Sequence, residues 1–238
     1  MIPVLELSGV IKDYGGLRPL RIAALSVAGG EHVALVGLDQ IAAEVFVNLV
    51  TGATLPEAGH IRVFGRPTSA ISDSADWLAT VDRFGIVTNR AVLLDQLTVI
   101  QNLAMSFTLD IEPPPDEARM RASALAREVG LQESDWEQPI AALNGVGRVR
   151  LRLGRAVALD PGVLLLEHVS AGLSAEEAAT LGADIRNLAA RRGMAIVATT
   201  LDEAFARAIA GRVLNWKPAT GEFVEQRSPG WLGRLLGS

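Results

Sequence analysis

The first stretch where residue type and spacing could do chemistry runs from His32 to Gly52. An apolar run, His32-Val-Ala-Leu-Val-Gly37, ends at a glycine. Helical spacing follows, with Val45, Leu49 and Val50 on the apolar side and Gly52 as a stop. Strand, tight loop and helix in that order make a phosphate-binding layout, because unpaired N–H groups at a helix N-terminus attract anions. Glu44 is read as lying in the first turn of that helix, where the macrodipole favours a carboxylate. The helix end is therefore expected to be satisfied by the protein's own acid in place of a phosphate.

Several other chemistries are excluded by composition. The chain contains no cysteine, which removes disulfides, thiolate nucleophiles and cysteine metal sites and is compatible with a reducing cytoplasm. His32, His60 and His168 are widely scattered, without metal-ligand spacing. The formal net charge is −5 with no basic block, so direct nucleic-acid binding is not expected. Lys12 and Lys217 are the only lysines. Met1 to Val4 carries no export signal, and the longest apolar runs are too short to cross a bilayer, so no transmembrane segment is expected.

The elements that position this stretch alternate in type. Val4, Leu5 and Leu7 open a first strand, Gly15-Gly16 turn it, Leu25 to Val27 form a second, and Gly29-Gly30 turn again. Residues 90 to 155 read as mostly helical. Pro113-Pro114-Pro115 interrupts that region, and Asp116 opens a helix with Ala118, Ala122, Leu125 and Val129 on one face up to Gly130. Buried strands return at Val163 to Leu166 and Met194 to Ala198. Between them Ser174 with Glu177 matches a capping box, and Leu181, Ile185 and Leu188 supply an apolar face before Gly193. Thr200 with Glu203 is read as a second capping box. Strands alternating with helices imply a mainly parallel sheet covered on both faces, and 238 residues suffice for one large or two-lobed domain.

Six local sequences, in order, resemble the ATP-binding cassette of ABC transporters. They are Val10-Ile-Lys-Asp-Tyr14-Gly-Gly; Gly30 to Gly37; Asn48-Leu-Val-Thr-Gly52 followed by Pro56 to Gly65; Phe84-Gly-Ile-Val-Thr-Asn89 with Leu93 to Leu103; Arg155 to Pro161; and Val163 to Leu173. The resemblance covers almost the whole chain. It implies an α/β, P-loop NTPase-like core with a mainly parallel sheet, flanking helices, an N-terminal antiparallel β part and an inserted helical lobe. On that reading the core lobe spans about 1–89 and 156–226, the helical lobe about 90–155, and a short tail 227–238. Trp231, Leu232, Leu235 and Leu236 in the tail have helical spacing and are expected to pack on their own domain.

The resemblance also assigns roles. Tyr14 takes the place of the residue that stacks on adenine. The phosphate loop, G-x-x-G-x-G-K-[ST] in the family, aligns with Gly37-Leu38-Asp39-Gln40-Ile41-Ala42-Ala43-Glu44, followed by Val45. Gln40 and Ala42 replace glycines, Ala43 the lysine, and Glu44 the hydroxyl that holds Mg2+. A carboxylate beside a polyanion costs roughly 1 to 4 kcal/mol at about 4 Å. Asn89 stands for the glutamine that senses Mg2+ and the terminal phosphate. The signature aligns with Leu143-Asn144-Gly145-Val146-Gly147, where Val146 puts bulk on a backbone meant to approach phosphate. Glu167 takes the Mg2+-orienting position and His168 that of the catalytic Glu, as a base or as a structural histidine at a strand end. Thr199 replaces the switch histidine.

ATP and Mg2+ are thus implied as ligands by the resemblance alone. The expected function is a cassette-like subunit that does not hydrolyse ATP. It would serve as structural or regulatory partner of a membrane permease or of a competent second cassette, in a homo- or heterodimer. Its expected place is the cytoplasm, peripheral to the inner face of the membrane. Two alternatives stay open: an atypical active ATPase of an importer or lipid-trafficking system, using Glu167 for metal and His168 as base, and a non-transport binding module on the same fold.

Overall fold

The computed structural model describes residues 3–226, so the tail around Trp231 lies outside the described residues. Two sheets organise the chain. The first is antiparallel and joins β1 (Pro3–Lys12), β2 (Leu20–Ala28), β4 (Ala58–Val63) and the short β5 (Arg66–Pro67) in the order β2-β1-β4-β5. The second holds β3 (His32–Val36), β6 (Phe84–Thr88), β7 (Val163–Glu167), β8 (Ala195–Thr200), β9 (Arg212–Lys217) and β10 (Glu222–Glu225), in the order β10-β9-β3-β8-β7-β6. The second sheet is parallel apart from β10, which returns antiparallel to β9.

The apolar runs in β3, β7 and β8 are continuous because both faces of this sheet are covered. Val163 and Leu165 point into a cluster with the antiparallel sheet and helix α1 (Gln40–Val50). Leu164 and Leu166 point into the opposite cluster, which also takes in buried residues of α3 (Val99–Ala104), α4 (Asp116–Glu128), α5 (Gly145–Ala156), α6 (Ala175–Arg192) and α7 (Glu203–Ile209). Helix α2 (Ser74–Val81) lies just before β6. Helices α3, α4 and α5 fall between β6 and β7, pack on one another, and rest on β6 through α5. Among the described residues no helix is long and apolar enough to cross a membrane.

The ends of the helices follow local chemistry. Ser174 and Glu177 exchange both hydrogen bonds of a capping box, which lowers the Glu177 pKa, and α6 stops at Gly193 with φ 68°. The second expected box, Thr200 with Glu203, does not form. Thr200 stays in β8, paired with Val36, and its hydroxyl accepts the Asp202 N–H. Asp202 caps α7 instead, because its carboxylate takes two orphan donors, the N–H groups of Ala204 and Phe205, at 2.9 and 3.1 Å.

Register sets the place of the site. Val36 lies opposite Thr200, Glu167 opposite Thr199, and Thr88 opposite Glu167. The C-terminal ends of four parallel strands therefore stand side by side, where open α/β sheets offer a crevice.

Candidate functional site

The loop from β3 into α1 is closed by its own acid, though not the expected one. Asp39 is the N-cap, and its Oδ1 accepts the Ala42 N–H at 2.8 Å. Its backbone carbonyl accepts the Ala43 N–H at 2.9 Å. Glu44 is the fifth residue of α1 and lies outside the first turn, which holds no acid. The helix begins at Gln40, so the dipole-satisfying acid is the residue just before it. Gly37 has φ 104°, a conformation that favours glycine, and an added Cβ would come within 3.4 Å of the Trp216 carbonyl. Leu38, Ala42 and Ala43 are fully buried in the cluster around Phe46, with Val45 packed against it. Ala43, the residue that the resemblance aligns with the family's lysine, presents a buried methyl group.

The side chain of Glu44 leads to a residue that the sequence reading missed. Arg90 Nη1 lies 2.5 Å from Glu44 Oε1. The same guanidinium donates from Nη2 and Nε to the two oxygens of Glu167, at 2.6 and 3.2 Å. The Gln40 amide donates to Glu167 Oε1 at 2.7 Å. Glu167 is completely buried at the end of β7, whereas Arg90 and Glu44 are partly open to solvent. One cation therefore bridges two carboxylates, one from α1 and one from the central sheet. Two acids at positions that the resemblance links to a metal were the available signal, since such a pair needs a counter-charge.

The neighbouring residues hold this arrangement in place. The Asn89 side-chain amide donates to the His168 carbonyl at 3.5 Å, and Arg152 of α5 donates to the Asn89 side-chain oxygen and backbone carbonyl, both at 3.4 Å. Burial and nearby Arg148 lower the pKa of Arg152. His168 has φ 47°, is buried, donates its N–H to the Thr199 carbonyl, and keeps an Nε2 without a hydrogen-bond partner among the described residues. The Thr199 hydroxyl donates to the Leu166 carbonyl, a bond internal to the sheet. Tyr14 is half-buried against the cluster under α1, and its pKa is raised by burial and then by the charge of Asp39.

The structure brings some of the predicted site residues together and leaves others apart. Glu44 and Glu167 meet on Arg90, Gln40 joins them through Glu167, Asn89 and His168 pair beside them, and the charge of Asp39 acts on Tyr14. Asn144 and Gly145 stand exposed at the start of α5, where Asn144 accepts the Gly147 N–H as a helix cap at 2.7 Å. They make no hydrogen bond to the Arg90 cluster. Among the described residues no group of three or more His, Cys, Asp or Glu side chains is arranged to hold a metal ion.

A mainly parallel sheet with a strand–loop–helix at its C-terminal edge, an antiparallel β part and interposed helices defines a cassette-type P-loop fold. The family model described as ABC transporter matches residues 20–169, and the chain belongs to that family. It is similar to the sulfate/thiosulfate import ATP-binding protein CysA 2 of Chromobacterium violaceum, with 31% identity over 212 residues, 88% of this chain and 55% of that protein. It is also similar to the methionine import ATP-binding protein MetN of Brucella abortus, at 28% over 213 residues, 89% of this chain and 57% of that one. The lipoprotein-releasing system ATP-binding protein LolD of Saccharophagus degradans matches at 26% over 204 residues, covering 84% and 89%. The chain spans little more than half the length of the first two relatives.

Two solved structures share the fold. The cbiO1 protein of Clostridium perfringens, part of an ABC transporter complex, superposes with a TM-score of 0.79 at 20% identity, over 98% of this chain and 92% of that one. A dimeric ATP-binding cassette, MJ0796 bound to ADP and Pi, gives 0.74 at 21%, over 95% and 100%.

Proposed function

We propose that this chain is the cassette subunit of an ABC transporter and does not hydrolyse ATP, acting as structural or regulatory partner of a membrane permease or of a competent second cassette. The observation that carries the reading is the N-terminus of α1. Asp39 already occupies a donor that a phosphate would need, and Ala43 is fully buried where the family has its lysine. A phosphate arriving there meets carboxylates and no lysine, so binding loses the electrostatic gain on which such loops depend. The relatives' names place them in import and lipoprotein-release systems, and this chain is assigned to a transporter of that general kind on the cytoplasmic face of the membrane. The division into a core (about 1–89 and 156–226) and a helical lobe (about 90–155) belongs to the same reading.

A titration of the purified chain with magnesium ATP, together with turnover and co-purification, tests it. No saturable binding, with a permease or intact cassette retained, is the expected result. Micromolar binding with turnover sinks it. Binding of some other small ligand without such a partner would favour a non-transport module.

One observation favours the active alternative. Among the described residues the buried His168 Nε2, next in sequence to Glu167, lacks a partner and is a candidate base. Turnover that disappears in His168→Ala would establish that reading.

A further inference from the structure

The donor set at the strand ends does not fit a metal-bound phosphate, and the misfit has a definite form. The family ties Mg2+ to three positions, which here are Glu44, Asn89 and Glu167. Arg90 bridges the first and third and follows the second in the chain. We infer that the Arg90 guanidinium is the built-in cation of this site, standing in place of a divalent ion. The inference rests on the reading of the site as hydrolysis-deficient.

The geometry supports a cation's role beyond that of a surface ion pair. Both Glu167 oxygens are taken, at 2.6 and 3.2 Å, and the third contact reaches Glu44 at 2.5 Å. Glu167 is fully buried, so its charge must be compensated where it sits. A guanidinium stays charged at every pH the fold experiences, and its planar fork matches a carboxylate at two points. A divalent ion would need the same carboxylate oxygens, the ligands that hard cations prefer. The two cations therefore exclude each other. With Arg90 in place, neither Glu167 oxygen is free for a divalent ion in the nucleotide-free site. With Arg90 removed, Glu44, Glu167 and the Gln40 amide, turned to present its oxygen, form an oxygen-ligand site.

Calorimetric titration of the nucleotide-free chain with Mn2+ tests this. The wild type is expected to show no saturable binding. Arg90→Ala is expected to bind Mn2+ saturably, at least about tenfold tighter than the weakest binding the wild-type titration would detect. Its melting temperature should rise with Mn2+ while that of the wild type does not. The gain should vanish in the double variant Arg90→Ala with Glu44→Gln. Arg90→Gln keeps a donor on Glu167 and serves if the alanine variant does not fold. Saturable wild-type Mn2+ binding that Glu44→Gln abolishes overturns the inference, as does a folded Arg90 variant that gains none. Should neither variant fold, the wild-type arm decides by the same criterion. The assay contains no nucleotide, so its outcome is separate from turnover, on which the functional reading depends.

Discussion

The Arg90 guanidinium meets both oxygens of the Glu167 carboxylate across 77 residues of chain, and the two partners differ sharply in exposure. Glu167 has no accessible side-chain surface, while Arg90 is 43% exposed. Removing the arginine strands a buried charge, a loss of ~3–5 kcal/mol where both partners are buried. Water reaching the partly open Arg90 side reduces this, so Arg90→Ala is expected to cost about 2 kcal/mol. Urea unfolding measures it, read as a lower midpoint at unchanged slope. A change within about 0.5 kcal/mol would reduce the pair to an ordinary surface contact.

Asp39 makes a different kind of contribution. Its Oδ1 takes one orphan N–H at the start of α1, so Asp39→Ala is expected to cost about 1 kcal/mol. Asp39→Asn, which keeps an acceptor, should cost less than half of that. Equal losses in the two variants would mean that the carboxylate acts through charge and not as a cap.

The fold was more legible in the sequence than the site. Val163 to Leu166 and His32 to Val36 read as strands because burial on both faces leaves a continuous apolar run. Ser174 and Glu177 announced α6 because a capping box is local chemistry. Local rules also misled. Thr200 matched a cap by spacing, yet its pairing with Val36 kept it in the sheet and left Asp202 to cap. Glu44 was placed one turn too early because the helix start was not known to a residue. Helix α2 lacks buried residues, so it offered no apolar stripe to read. The two acids signal that a counter-charge is needed but not which residue supplies it, because the partners of Arg90 come from α1 and β7 and meet it only in the folded chain.

Tyr14 is the only tyrosine, so its titration can be followed by phenolate absorbance without interference from another. Burial, then the charge of Asp39, raises its pKa above the ordinary 10.0. The neutral phenol is favoured in the folded chain. The associated stability is complete below the unfolded-state pKa and is lost as pH rises through the folded value. Asp39→Asn should lower the midpoint part of the way, since burial is the larger cause and remains. A midpoint unmoved by that substitution would separate Tyr14 from the loop.

Asp76, beside Arg66, offers a pH test at the other extreme. Its hydrogen bonds with the Arg66 guanidinium, then with the Ser72 N–H, hold its pKa at about 2 against an ordinary 3.8. A depressed carboxylate stabilises the fold above the unfolded-state value, and that contribution fades as pH falls from 3.8 through about 2. Arg66→Ala should return the Asp76 midpoint, followed by NMR, most of the way to ordinary. An unchanged midpoint would assign the shift to Ser72 alone.

The last prediction concerns whether one reversal can rebuild a phosphate loop. Ala43→Lys introduces the residue that the resemblance implies there, but the position is fully buried beside Ala42 and Phe46. A long side chain in a packed cluster costs about 1–3 kcal/mol. Glu44 and Glu167 remain paired with Arg90, and Asp39 still holds the Ala42 N–H. A single lysine therefore supplies charge without freeing a donor or clearing the carboxylates. Ala43→Lys is expected to lower stability and to gain no saturable ATP binding by calorimetry. Replacing Asp39 and Glu44 as well removes both acids from the path of the phosphate, and the combined variant should bind where the single one does not. Micromolar binding by Ala43→Lys alone would show that the missing lysine was the whole defect, and that the Asp39 cap and the Arg90 bridge are no barrier.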